Sequence, residues 1–241
     1  MQQDKSHKES SEKENLNPKD RRIRSFVRRQ GRLTKAQQFA LENYLPLFGL
    51  KPDKSLIDFK QAFNRDAETH LEIGFGNGQS VANMAEQHPE NNYLGVEVHS
   101  PGVGNLLQLV HKQALNNVRV ICDDVYEILK NNIADNSLAA VYLYFPDPWH
   151  KRCHVKRRIV NPEFVELLAK KLQPNGILHM ATDWEDYAKQ MMRVMSDSKD
   201  FYNQAGLAKY SERPEWRTLT KFEQRGHRLG HGVWDLIFNK T

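Results

Sequence analysis

From residue 69 onward the sequence predicts an α/β protein, a doubly wound and mostly parallel sheet, and three observations carry that expectation. Short apolar runs alternate with segments of helical periodicity, the pattern of successive βα units. The first run, Leu71-Glu72-Ile73, leads into a glycine-rich turn, Gly74-Phe75-Gly76-Asn77-Gly78, and then into a helix, which is where such a sheet lets a ligand meet backbone. The fourth run, Leu138 to Phe145, stops at Pro146-Asp147-Pro148, whose prolines fix φ and delete two backbone donors. Asp147 is thereby posted at the carboxyl end of a strand.

The 241 residues suit one large domain with a substantial core. Residues 1–20 read as a disordered polar tail, rich in Lys, Glu, Ser and Asn, with too little apolar surface to offset the entropy of ordering. Residues 21–67 comprise a basic arm, a short helix and a connector. The arm interleaves six arginines with Ile23, Phe26 and Val27, so part of it is expected to dock on the body with its cations outward. Thr34 and Gln37 form a capping box for a helix reaching about Tyr44, and Pro46, Gly49 and Pro52 mark the connector. The domain proper is 68–241, with strands at 69–73, 92–98, 118–122, 138–145, 176–182 and 232–238 and helices between them. Asn161-Pro162 is an N-cap followed by proline at the first helical position, and Pro174-Asn175-Gly176 ends that helix. Met191, Met192 and Met195 read as core.

Charge is unevenly placed. Residues 1–35 hold 11 Lys+Arg against 5 Asp+Glu, whereas the rest of the chain holds 24 against 25. A concentrated cationic segment suits a polyanion, because each neutralised phosphate releases counterions; a solubilising tail is an equal alternative for the arm alone. A second cationic cluster follows Asp147: Lys151, Arg152, Lys156, Arg157 and Arg158. The two cysteines, Cys122 in a buried strand and Cys153 in the basic loop, make a disulfide framework unexpected. No stretch approaches a membrane span and the amino terminus lacks a secretory pattern, so a cytoplasmic location is expected.

The acids narrow the ligand. Glu72 precedes the glycine loop, Glu97 closes the second strand, Asp123 and Asp124 the third, and Asp147 the fourth. Any one of them could be a helix N-cap, but that is a poor account of all together. A ring of carboxylates repels a pyrophosphate, and Gln79 stands where a dinucleotide fingerprint wants its third glycine. The ring suits a cation that also carries ribose hydroxyls and an exocyclic amine, as S-adenosylmethionine does. No phosphate loop or Ca²⁺ loop accompanies the acids, and His227 and His231 lack the glutamate of the H-E-x-x-H pattern, so no metal is expected.

Six motifs in order resemble the bacterial tRNA (guanine-N7)-methyltransferase family: Glu72 to Gly78, Gly95 to Gly102, Phe145 to Lys151, Arg157-Arg158-Ile159, Ala181-Thr182-Asp183, and Thr220 to Gly226. The likeness covers roughly residues 20–239 and implies a Rossmann-like, class I methyltransferase sheet with a C-terminal antiparallel strand. It implies that Glu72, Glu97, Asp124 and Asp147 bind S-adenosylmethionine, Asp124 being chosen over Asp123 as the adenine reader, and the glycine loop itself places Gly74, Gly76 and Gly78 against the same ligand. It implies that Lys151, Asp183, Thr220, Lys221, Phe222 and Glu223 bind the nucleoside and that the target is guanosine 46 of the variable loop; Asp147 is read as catalytic from the chemistry, since a carboxylate beside the base holds its N1 and N2 donors and favours the positive charge that develops on the ring. Arg152, Lys156, Arg157 and Arg158 are then expected on the tRNA backbone. Asp183 and Glu223 retain structural readings from their spacing, a helix N-cap and half of a capping box. A monomer or homodimer without an obligatory protein partner is expected. A dehydrogenase and a silent RNA-binding protein on the same fold are the alternatives.

Overall fold

The computed structural model describes residues 24–26, 31–53, 55–219, 223 and 232–241. The four apolar runs become parallel neighbours: β1 (Thr69–Ile73), β2 (Asn92–Val96), β3 (Val118–Ile121) and β4 (Leu138–Tyr144). They are joined by β5 (Leu172–Thr182), β6 (Phe201–Asn203) and β7 (Trp234–Lys240) in the order β3-β2-β1-β4-β5-β7-β6. β7 runs antiparallel to both of its neighbours. The winding reverses between β1 and β4, so the loops after those two strands part and leave a crevice at the carboxyl edge.

Side chains alternate along each strand, and helices cover both faces, which is why the central strands are buried nearly throughout. Leu71, Ile73, Leu94, Val96, Val141 and Leu143 point to one layer, where they meet α6 (Val125–Asn131), α7 (Pro162–Lys171) and α8 (Glu185–Ser196). Tyr93, Val118, Val120, Ala140 and Tyr142 point to the other, against α4 (Gln79–Gln87), α5 (Ser100–Lys112) and α1 (Lys35–Asn43). The capping box of α1 forms as expected: Gln37 N donates to Thr34 Oγ1 and Thr34 N donates to Gln37 Oε1. Ala40 is fully buried, and a Cβ at Gly104 of α5 would stand 2.9 Å from the Gln37 carbonyl oxygen. Met191, Met192 and Met195 are core, and Asn161 caps α7 through Phe164 N at 3.0 Å.

Strands β2, β3 and β4 stop one or two residues before the sequence predicts, and Glu97 and Phe145, just past two of those ends, line the crevice. Cys122 is accordingly exposed rather than buried. β5 starts at Leu172, not 176, since Leu172 pairs with Leu138 across a register shift. β6, three residues at the sheet edge, gave no signal of its own: only Phe201 is buried.

Candidate cofactor and nucleoside site

A cavity of about 210 Å³ opens between the carboxyl ends of β1 and β4, lined among others by Gly74, Glu97, Asp123, Tyr144, Phe145 and Asp147. The glycine loop beside it needs glycine: Gly74, in the lining, and Gly76 adopt φ of 66° and 57°, and a Cβ at either would meet no atom within 4 Å, so the backbone lies open. Glu97 ties the loop to the next strand. Its Oε2 accepts from Gly76 N at 3.0 Å, and its Oε1 from Val98 N and His99 N at 2.7 and 3.0 Å.

Glu72 lies behind this loop, 4% exposed, and among the described residues its Oε2 accepts no hydrogen bond. Burial lifts its carboxyl to about 8; the neighbouring Ser80 hydroxyl opposes the shift and the Glu97 charge adds to it. An orphaned buried carboxyl behind the glycine loop fits a cationic ligand. Asp123, not the expected Asp124, faces the cavity. Asp124 is buried and caps α6 through Tyr126 N at 3.1 Å, and Asp123 Oδ1 accepts from Asp124 N at 2.7 Å.

The loop carrying Asp147 is strained and anchored. Phe145 and Trp149 have φ of 50° and 44°, a left-handed region that costs a bulky residue roughly 1–3 kcal/mol. Three contacts hold it: Phe145 N donates to Ala181 O at 2.8 Å, Arg158 Nε to Pro148 O at 2.7 Å, and Trp149 Nε1 to Ser25 O at 3.0 Å. The last contact docks the basic arm, whose Ser25 and Phe26 complete the cavity wall, as the arm's apolar residues suggested. Asp147, between these anchors, is exposed and accepts no hydrogen bond from the described residues, so it does not act as a turn cap.

Arg158 corrects an expectation. It is 3% exposed, its remaining donors reach Gln190 Oε1 at 2.5 Å and Asp186 Oδ2 at 2.7 Å, and its guanidinium lies over the Tyr187 ring. It positions the Asp147 loop from inside and is not free for a phosphate. Arg157 lies over the Trp149 ring, while Lys151, Arg152 and Lys156 are exposed, the last two in a 3-10 helix (Arg152–Arg157). Asp183 is exposed at the end of β5. The N-cap of α8 is Trp184, without a side-chain cap bond, so the capping reading of Asp183 falls away. Thr220, Lys221 and Phe222, like His227 and His231, lie outside the described residues.

A buried polar network adjoins the site, and no spacing pattern announced it. Arg217, 2% exposed, grips both oxygens of Glu223 at 2.7 and 2.8 Å and both oxygens of Asp235 at 2.7 and 2.9 Å. Glu223, expected on the nucleoside, thus has its carboxylate engaged by a buried cation. Asp235 Oδ1 meets His179 Nε2 at 2.7 Å, and His179 Nδ1 meets Tyr144 Oη at 3.0 Å and Trp216 Nε1 at 3.3 Å. Indole N–H only donates, so Nδ1 is the acceptor and the His179 proton sits on Nε2. Burial keeps that imidazole neutral against the pull of Asp235. Burial alone would raise Asp235, yet hydrogen bonds from His179 and Arg217 prevail and hold it low. Arg217 also lies 5.7 Å from the Phe145 ring, so the network braces the strained turn.

The sheet order and the acid-lined crevice define a methyltransferase-type α/β protein. The family model described as "Putative methyltransferase" matches residues 66–236. The 16S rRNA methyltransferase KamB shares the fold, with a TM-score of 0.56 at 15% identity over 77% of this chain and 94% of that one. Proteins named tRNA (guanine-N(7)-)-methyltransferase are far more similar. The one from Hydrogenovibrio crunogenus is 59% identical over 220 residues, 91% of this chain and 92% of its own. Those from Alcanivorax borkumensis and Escherichia coli are 56% identical over 91–92% of this chain and 92% of theirs. The chain belongs to the bacterial tRNA (guanine-N7)-methyltransferase family and is an enzyme of that class. Neither a dehydrogenase nor a silent binding protein finds support among these relatives. Among the described residues no helix is long and apolar enough to cross a membrane.

Proposed function

We propose that the chain transfers the methyl group of S-adenosylmethionine to N7 of a guanosine in tRNA, at position 46 of the variable loop as its family implies. The observation that carries this reading is a pair of acids beside the glycine loop with oxygens that the described residues leave unused: Oε2 of the buried Glu72, and the exposed carboxylate of Asp147 at the cavity wall. Glu72 answers a cation. Glu97 reaches ribose hydroxyls, Asp123 rather than Asp124 reads the adenine amine, and Gly74 and Gly76 let the ligand lie on backbone, with Gly78 closing the turn into α4. When bound, S-adenosylmethionine supplies a methyl group on a positively charged sulfur.

Guanine N7 presents a lone pair at the major-groove edge, so no residue need act as a strong base. The chain's work is alignment and exclusion of water, a proximity contribution of roughly 7–11 kcal/mol in well-oriented systems. Asp147 holds the N1 and N2 donors of the base and favours the positive charge that develops on the ring. Lys151, Asp183, Thr220, Lys221 and Phe222 hold the nucleoside, while the Glu223 carboxylate is held by Arg217. Arg152, Lys156 and Arg157 take the RNA backbone. Purified protein with labelled S-adenosylmethionine and an unmodified tRNA pool is expected to yield 7-methylguanosine on nuclease digestion. Absence of that nucleoside across the whole pool contradicts the reading.

A further inference from the structure

Large apolar side chains left on the surface are ordinary when scattered, and Phe39, Leu47 and Leu207 are of that kind. Trp184 differs in where it stands and how it is held. It follows Asp183 at the carboxyl end of β5, the strand beside β4, and is 42% exposed. Its backbone is fixed: the N–H donates to Thr182 Oγ1 at 3.2 Å, and the carbonyl accepts from Tyr187 N and Ala188 N as the first turn of α8. The indole therefore projects from a rigid helix start. Its ring centroid lies 5.8 Å from that of His150 at an interplanar angle of 47°, and His150 precedes Lys151. This ring contact joins the segment Asp183-Trp184 to the segment His150-Lys151, the two segments that carry polar groups assigned to the nucleoside.

We infer that Trp184, with His150 beside it, is the stacking platform for the target guanine. Unstacked bases in RNA are received on aromatic rings. Here the chemistry adds a second demand, because forming the N7–methyl bond as the carbon–sulfur bond breaks moves positive charge onto the purine. An indole face attracts a cationic ring more than a neutral one, so the platform favours the transition state over the bound guanosine. It acts on kcat more than on KM. The inference rests on the methyl-transfer reading above.

The test has two arms. In single turnovers at saturating tRNA, Trp184→Ala and Trp184→Leu are expected to slow methyl transfer roughly 10- to 100-fold, the range of one stacked base. Trp184→Phe, which keeps an aromatic face, recovers most of the rate, and all three variants bind S-adenosylmethionine like the wild type. A leucine variant as fast as the phenylalanine variant overturns the inference. The second arm needs no turnover: fluorescence titration with 7-methylguanosine monophosphate against guanosine monophosphate, under mildly acidic conditions that keep the methylated ring cationic. Wild type is expected to prefer the methylated nucleotide and Trp184→Leu to lose that preference; equal binding by the wild type overturns the inference. If no tRNA is methylated while a Trp184-dependent preference persists, the platform stands and the methyl-transfer reading falls.

Discussion

Two sets of acids at the same end of the sheet have opposite environments. Glu223 and Asp235 are buried with every oxygen engaged by Arg217, and Asp235 by His179 as well. Glu72, on β1, and Asp147, after β4, keep oxygens that no described residue satisfies, Oε2 in the case of Glu72. Residue type is the same in both places, and what separates them is whether the fold completes the hydrogen bonding. Acids gripped at both oxygens by a buried cation hold geometry, whereas acids with an oxygen left over stay available to a ligand. Arg157 and Arg158 repeat the contrast among cations: one edges the surface over Trp149, the other is inside and fully used.

The largest effect expected from this contrast is on stability. Arg217→Met leaves Glu223 and Asp235 buried without their cation, which costs about 3–5 kcal/mol and lowers Tm by about 6–20 °C. A shift under about 2 °C by calorimetry dissolves the distinction between the two sets of acids.

Glu72 should behave oppositely. Its folded carboxyl titrates near 8 whereas the ordinary value is 4.5, so the folded chain keeps a proton that the unfolded chain loses, and stability falls as pH rises through that window. Glu72→Gln is expected to melt above the wild type at about pH 9, by several degrees, with the gap closed near pH 4. Cofactor binding favours the ionised acid, so wild-type affinity should rise by up to about tenfold per pH unit below 8 and then level off, while Glu72→Gln binds more weakly with a flat profile. A pH-independent wild-type affinity removes Glu72 from the cofactor site.

The aspartate pair gives a smaller, sharper comparison. Asp124→Ala loses a helix cap, worth about 1 kcal/mol or a few degrees of Tm, whereas Asp123→Ala should weaken cofactor binding about tenfold with little change in melting. The reverse pattern in titration calorimetry returns the adenine contact to Asp124. Smallest of all, Arg152→Ala and Lys156→Ala should each reduce the salt slope of tRNA binding by roughly 0.7–0.9, while Arg158→Ala leaves the slope unchanged. A flatter slope for Arg158→Ala would put that arginine back on the RNA.

Much of this was legible in the sequence because it rests on short-range rules. Alternating apolar runs gave the parallel strands, the two prolines gave the abrupt stop before Trp149, and the glycine loop with its acids gave the cavity edge. The capping pairs Thr34–Gln37 and Asn161–Pro162 stood where expected because caps depend on neighbours three residues apart. What escaped depends on packing between distant segments. Arg158 looks like the last of five surface cations until Gln190, Asp186 and Pro148 enclose it. Arg217, Asp235 and His179 come from a loop and two strands, and no periodicity brings them together. Asp123 and Asp124 are distinguishable only once α6 begins and one of them becomes its cap.

Asp147 is the residue on which the account turns, since its loop is strained, anchored on both sides, and leaves the carboxylate free. The most direct measurement is 7-methylguanosine formation on unmodified tRNA by the wild type and by Asp147→Asn, with the melting temperature and tRNA affinity of each recorded alongside. The account predicts 7-methylguanosine from the wild type, a loss of at least about 100-fold in Asp147→Asn, the scale of removing one electrostatic stabiliser, and unchanged melting and tRNA binding. Undiminished methylation by Asp147→Asn, or a loss matched by unfolding, would contradict it.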